Sequence, residues 1–361
     1  MSSVFFLPDR LEKTPDIIPP IMQPISSPDK PFDKVLQQKS YFGGLSSFFF
    51  VILYRNPLTI LFMIHKLVEL TEKAQHKPRR KIAVAAAEDE PVLKSLKAAM
   101  QNGIASPVLV GDKNEIKKVA DLIDFDLSNI EIIHNDKGAN ESAKIAVSVV
   151  KNGEADILMK GFVSTGGLLK AVLDKENGLR KAEILSHVAF FESPYYHKLL
   201  CLTDAAMNIA PDFDTKVHIL NNAVEACHKI GITLPKVAVV AALETVNPKM
   251  EATVHAALLK EMNVNNQLQG CIVDGPFAID IAVNKEAAAH KGIVSEVAGD
   301  CDIILVPDIE AGNMLYKALN FLGGAVCAAV IMGASVPIVL TSRSDTETSK
   351  VRSIALAAAM D

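Results

Sequence analysis

The sequence contains no tryptophan and no excess of basic residues: 37 Lys and Arg stand against 42 Asp and Glu, a net charge of -5. Without a basic stripe and stacking aromatics there is no case for a nucleic-acid surface. Metal signatures are missing too. The nine histidines include no H-E-x-x-H, and the five cysteines, Cys201, Cys227, Cys271, Cys301 and Cys327, are widely dispersed, so no Cys/His pair stands at zinc spacing. An odd number of scattered cysteines makes no disulfide framework and suits reduced, buried thiols in the cytoplasm. Long apolar runs are also lacking. Phe48 to Tyr54 and Leu58 to Ile64, split by Arg55-Asn56-Pro57, fall well short of the ~20 residues that cross a bilayer, so no membrane association is expected. A degraded membrane or signal anchor is the alternative reading of those two runs.

What is present is an ordinary globular composition: 361 residues, 49% hydrophobic and 22% charged, enough for about two domains. Residues 1–62 differ from the rest, opening with a proline-rich stretch that has no period and reads as disorder or a non-native extension. Met63 opens an amphipathic helix start, and the functional protein is expected to begin near it. From Lys81 onward, apolar strands alternate with helices: strands at 81–87, 106–111, 130–134 and 155–161, and helices at 88–102, 114–123 and 139–152. Continuous apolar strands separated by helices indicate a doubly wound parallel sheet, so the fold class is α/β.

Two strand ends look able to bind anions. Lys160-Gly161-Phe162-Val163-Ser164-Thr165-Gly166-Gly167 leads from a strand into a helix at 168–176 that carries Lys170. It falls short of the P-loop, which needs Lys where Gly167 stands and Ser or Thr where Leu168 stands. Near the carboxyl end, the strand 337–342 stops on Thr341-Ser342-Arg343, and a helix start follows. Unpaired amides and the helix dipole favour anions there. Ser344 as N-cap with Glu347 completing a capping box is the structural alternative.

After Arg180 the pattern changes. Residues 187–204 read as two strands joined by a Ser193-Pro194 hairpin. Helices follow at 214–230, 249–262, near 280–289 and at 314–322, with strands at 236–243, 270–276, 301–308 and 328–333. Ligands in open α/β sheets sit beyond the strands' carboxyl ends, and polar clusters fall at those ends. They are Thr203-Asp204 with Asn208, Glu244 with Asn247, Asp274-Gly275, Asp308 with Glu310 and Asn313, and Ser342-Arg343. Asp308, Glu310 and Asn313 could equally cap a helix at 314. His187, alone on an apolar strand, reads as a core residue with no role.

The motifs DILMKGFVSTGGLLKAVL (156–173), LSHVAFFE (185–192), LTDAAMNIAPD (202–212), VDGPFAIDIAV (273–283), VPDIEAGNMLYKAL (306–319) and PIVLTSRSDTETSK (337–350) occur in order without a large gap. Together they resemble the phosphate acetyl/butyryltransferase family, more closely its butyryl branch, over about Lys66 to Met360. The resemblance implies a two-domain, three-layer α/β/α fold like isocitrate and isopropylmalate dehydrogenases, with the active site in the interdomain cleft. Residues 63–186 with 343–361 would form domain I and 187–342 domain II. It implies transfer of a short acyl group, butyryl first, from CoA to phosphate through a ternary complex. CoA and acyl-CoA are then substrates, and no cofactor is tightly bound. A homodimer or larger homo-oligomer, possible cooperation with an acyl kinase, and a cytoplasmic location follow from the same resemblance.

Under it, Arg343 would grip phosphate bidentately, Ser342 would donate to the oxyanion, and a nearby carboxylate would serve as base. The chain departs from the acetyl branch there. Ser349 stands seven residues beyond Ser342, leaving Asp345 and Glu347, and Asp345 is favoured because Glu347 is the better capping acid. Ser164, Thr165, Lys170, Asp308, Glu310 and Asn313 complete the expected substrate contacts, Lys170 standing where the acetyl branch usually has arginine. Besides a phosphate acetyltransferase as the alternative by substrate, two other readings are a noncatalytic acyl-CoA sensor, like the related domain of large malic enzymes, and a nicotinamide-dependent dehydrogenase. The second is disfavoured because no G-x-G-x-x-G follows the first strand.

Overall fold

The computed structural model describes residues 64–340 and 345–360. The expectations for residues 1–62, for Met63 and for Ser342, Arg343 and Ser344 therefore lie outside the described residues. The first half follows the alternation of the sequence. Helix α1 (Leu67–Gln75) buries Leu67, Leu70 and Ala74 on one face. It is followed by β1 (Arg80–Ala85), α2 (Glu90–Gln101), β2 (Ala105–Gly111), α3 (Lys113–Leu122), β3 (Glu131–His134), α4 (Ala139–Lys151), β4 (Ile157–Lys160) and α5 (Thr165–Val172). Asp89 and Asp112 cap α2 and α3, each side chain accepting a first-turn amide. Helix α5 starts three residues before the expected 168 and stops short of 176. Asp174 Oδ1 accepts from the Glu176 and Asn177 amides, closing a turn in place of another helical turn.

The second half comprises β5 (Ser186–Glu192), β6 (Leu200–Thr203), α6 (Phe213–Ile230), β7 (Lys236–Val240), α7 (Glu251–Val264), β8 (Ile272–Phe277), α8 (Ile279–Val283), α9 (Lys285–His290), β9 (Ile303–Leu305), α10 (Ile309–Phe321), β10 (Val326–Met332), β11 (Ile338–Val339) and α11 (Glu347–Ala359). Four expectations are corrected. The β5–β6 connection is longer than a Ser193-Pro194 turn, because Tyr196 Oη donates to Cys301 O at 2.7 Å and Lys198 pairs with Asp302 at 2.7 Å, tying it to the start of β9. The helix expected at 280–289 breaks at Asn284, whose side chain accepts from the Glu286 and Ala287 amides and restarts it. Helix α10 begins at Ile309 rather than Met314, with Asp308 as cap. Helix α11 is capped by Thr346, whose side chain accepts from Ser349 N–H at 3.1 Å, so Glu347 opens the helix instead of standing three residues past its cap.

All strands join one sheet in the order β3-β2-β1-β4-β11-β10-β5-β6-β9-β7-β8, eleven among the described residues. From β3 to β11 neighbours run parallel, β10 and β5 are antiparallel insertions, and from β6 to β8 the strands are again parallel to one another. The mixed centre is thus the width of two strands.

The two faces are packed differently. On one, α1, α2, α3, α6, α7 and α11 cover a single apolar core that reaches from Leu109 of β2 through Phe190 of β5 to Val273 of β8. On the other, two separate clusters form: one beneath α4 and α5, including Ala83, Val108 and Leu158, and one beneath α8, α9 and α10, including Ala189, Phe191 and Ile304. Helix α11 buries Ile354 through Ala359 and packs on α1, α2 and β10, bringing the chain's carboxyl end back to its first helices.

Candidate active site

The β4–α5 turn is stitched to the end of β1. Gly161 N–H donates to Ala85 O at 2.9 Å and Phe162 N–H to Ala86 O at 2.5 Å. A Cβ on Gly161 would lie 2.0 Å from Ala86 O, so only glycine lets the two backbones approach this closely. Held there, Ser164 becomes the N-cap of α5, its Oγ accepting from Gly167 N–H at 3.0 Å. The amides of Thr165 and Gly166, at the first helical positions, have no intrahelical acceptor, and the helix dipole adds partial positive charge. That combination suits a phosphate-like anion.

Helix α10 forms the facing wall. Asp308 Oδ1 accepts from Ala311 N–H at 2.8 Å, and a Cβ on Gly312 would meet Asp204 O at 2.6 Å, so the helix lies hard against the turn after β6. Glycine weakens a helix by propensity, which hides this helix start in the sequence; close approach is the compensation. Asn313, Tyr316 and Lys317, spaced i, i+3 and i+4, then share the face toward α5. Asn313 Nδ2 donates to Ala205 O at 3.2 Å.

Asp204 organises that turn rather than awaiting a substrate. It is buried, and its carboxylate accepts from the amides of His187 (3.2 Å), Ala206 (3.0 Å), Met207 (3.1 Å) and Asn208 (3.1 Å), and from Asn208 Nδ2 (2.6 Å). His187 is buried beside it. Burial pushes the imidazole pKa down, against the opposing pull of Asp204 and Asp345. Burial likewise pushes the Cys327 thiol up to about 12, so it supplies no thiolate nucleophile at neutral pH.

These elements enclose a cavity of about 370 Å³ lined by Lys160, Val163, Ser164, Thr165, His187, Ala205, Ala206, Asn313, Tyr316, Lys317, Leu340 and Asp345. It lies where the two apolar clusters of the split face come apart. Of the residues expected from sequence, Ser164, Thr165, Asn313 and Asp345 meet here. Lys170 does not line it. Together with Lys144 and Lys151 it faces a second hollow of about 860 Å³ between α4 and α5, which Ser164, Gly166 and Gly167 border as well. Asp308 serves as helix cap, and Glu310 is exposed on the first turn of α10, outside the described lining. His187, Tyr316 and Lys317 were missed. The one signal for His187 was a polar residue at an inward position of an otherwise apolar strand. Among the described residues no cluster of His, Cys, Asp or Glu could hold a metal ion.

Comparison with known proteins finds relatives over most of the chain. The profile described as phosphate acetyl/butaryl transferase matches residues 65–143 and 135–358. A phosphate butyryltransferase of Clostridium acetobutylicum is 47% identical, over 82% of this chain and 98% of its own. A phosphate acetyltransferase of Thermotoga maritima is 45% identical, over 81% of this chain and 98% of its own. Among solved structures, a branched-chain phosphotransacylase from Enterococcus faecalis superposes with a TM-score of 0.69 at 38% identity, covering 77% of this chain and 97% of that one. The chain belongs to the phosphate acetyl/butyryltransferase family.

Proposed function

We propose that the protein transfers a short acyl group, butyryl by preference, between CoA and inorganic phosphate. The observation that carries this reading is the cavity itself: a helix N-terminus bearing Ser164 and Thr165 stands across from Asn313 and Asp345, with a small apolar lining from Val163, Ala205, Ala206 and Leu340. An anion, a carbonyl and a proton acceptor are the three things the reaction needs placed together. In the forward direction a phosphate oxygen attacks the thioester carbon, a tetrahedral oxyanion forms, the C–S bond breaks, and CoA thiolate leaves. In reverse, Asp345 takes the thiol proton as sulfur attacks the acyl phosphate and phosphate departs. Arg343 holds phosphate bidentately, Ser342 donates to the oxyanion, and the first-turn amides of α5 share the anion.

Lys170, in the adjoining hollow, takes a phosphate of CoA where that tail leaves the cavity over Gly166 and Gly167. Asp308 contributes by capping the helix that carries Asn313. The cavity corresponds to the cleft of a two-domain isocitrate and isopropylmalate dehydrogenase-like fold, divided as 63–186 with 343–361 and 187–342. Supporting that reading, one parallel block of strands ends at β11 and the other begins at β6. The enzyme would work in the cytoplasm as a homodimer or larger homo-oligomer, without a tightly bound cofactor, and would hand acyl phosphate to an acyl kinase.

The test is CoA thiol release from acyl-CoAs of two to six carbons, with and without phosphate. Release is expected only with phosphate and fastest at four carbons. No phosphate-dependent release from any chain length would leave a noncatalytic acyl-CoA sensor as the better account. Fastest release at two carbons would make the substrate acetyl-CoA.

A further inference from the structure

Strand β5 carries one polar side chain on a face that is otherwise apolar. Residues 187, 189 and 191 project to the same side of the sheet. Ala189 and Phe191 are buried in the cluster beneath α10. The Tyr316 ring meets both aromatic neighbours edge-on, His187 at 5.7 Å and 67° and Phe191 at 5.3 Å and 72°. Phenylalanine or leucine at 187 would continue this packing. Instead the imidazole buries Nδ1 with no hydrogen-bond partner, in a residue that is 5% exposed. An unsatisfied buried polar atom destabilises a core, and the backbone does not need the ring. The amide of residue 187 already donates to Asp204 Oδ1 at 3.2 Å, and its carbonyl accepts from Thr203 Oγ1 at 2.9 Å.

Chemistry decides what the ring can offer. Held neutral by burial, it has one N–H and one lone pair. A buried lone pair without a partner is tolerated better than a buried N–H without one, so the enclosed Nδ1 is bare and the proton sits on Nε2. Toward the cavity the ring is therefore a donor, not a base.

Its acceptor is not phosphate. The charges of Asp204 and Asp345 reach the ring, and anions have better hosts in Lys160, Lys317 and the first turn of α5. Tyr316 packs on His187 and Ala205 and Ala206 line the same cavity, a surface for a short acyl chain whose polar atom is its carbonyl oxygen. That oxygen is uncharged when it binds, and Asp345 is protonated in the step in which sulfur attacks.

We propose that His187 is a further catalytic residue, donating a hydrogen bond from Nε2 to the carbonyl oxygen of the bound acyl group and aligning its carbon for attack beside Asp345. The proton stays on Nε2 throughout. The bond strengthens as the oxygen gains charge in the tetrahedral intermediate, so its loss falls on kcat. This inference rests on the acyl-transfer reading above.

The experiment compares wild type, His187→Phe and His187→Gln in phosphate-dependent CoA release from butyryl-CoA, alongside thermal unfolding. His187→Phe is expected to unfold at or above the wild-type temperature and to lose roughly a hundredfold to a thousandfold in kcat, with the phosphate KM within about twofold. His187→Gln, whose amide can donate from near the Nε2 position, is expected to regain part of the loss. His187→Leu should behave like the phenylalanine variant and carries the test if that one does not fold. Wild-type kcat in either apolar variant overturns the proposal, as does a raised phosphate KM with kcat unchanged. An inactive wild type would take the acyl-transfer reading down with it, whereas active wild type beside unaffected variants rejects the role of His187 alone.

Discussion

On one face of the sheet a single apolar core runs unbroken from β2 to β8, whereas on the other the helices gather into two groups and the cavity occupies the interval between them. The unbroken face is built from large aliphatic and aromatic side chains with zero exposure, Leu70, Leu93, Ile104 and Phe190 among them. The interrupted face reaches its gap through glycines, caps and one buried histidine: Gly161, Ser164, Asp308, Gly312 and His187. Polar groups at a sheet face cost stability unless something satisfies them. One continuous core leaves the opposite face free to spend stability on a site. Substitutions on the two faces should therefore fail differently.

The largest effect is expected at Asp345. Asp345→Asn should lower kcat for acyl-CoA formation by roughly 10²- to 10⁴-fold and leave the unfolding midpoint within about a degree, checked by steady-state kinetics and calorimetry. Equal losses of stability and activity would erase the distinction between the faces. Next comes the unbroken core: Phe190→Ala should cost about 3–5 kcal/mol in denaturant unfolding, with kcat of the remaining folded enzyme near normal. Ser164→Ala removes a cap, about 1 kcal/mol, and should also raise the phosphate KM several-fold. A cap with no part in binding would move stability alone.

The smallest effect is a pH dependence. Burial holds His187 below its ordinary value of 6.5 in the folded state despite Asp204 and Asp345, with Tyr316 packed on the ring. The unfolded chain binds the proton first as pH falls. Stability is thus complete above about pH 6.5 and declines below it, by up to about 1.4 kcal/mol per pH unit for one group. Comparing unfolding midpoints at pH 7.5 and 5.5, His187→Phe should show a shallower decline than wild type. An unchanged slope would mean that the folded chain binds this proton as readily as the unfolded one.

Much of this was legible in the linear chain, for identifiable reasons. The strands of the first half are continuous apolar runs bounded by Gly103, Gly111 and Gly153, and local pattern finds such elements wherever turn residues and period agree. Ser164 was legible because an N-cap and its glycines are consecutive. Helix α10 was found five residues late, because Gly312 reads as a breaker until the backbone of Asp204 is seen against it. Lys170 was expected near the phosphate because it lies early in the helix that follows Ser164, yet nearly two turns past that cap it faces the neighbouring hollow.

By itself, then, the sequence determined the α/β class, the family, and the two strand-end segments that bear Ser164 and Asp345. Those depend on residues close together in the chain, where turn chemistry and periodicity act. Only the tertiary structure decided that Asn313 joins them while Asp308 and Glu310 do not, that Asp204 is consumed by its own turn, and that His187 stands at the cavity with an unpartnered nitrogen. Those outcomes depend on the meeting of β5, α5 and α10, segments more than a hundred residues apart at their extremes, and on which polar atoms the packing there leaves unsatisfied.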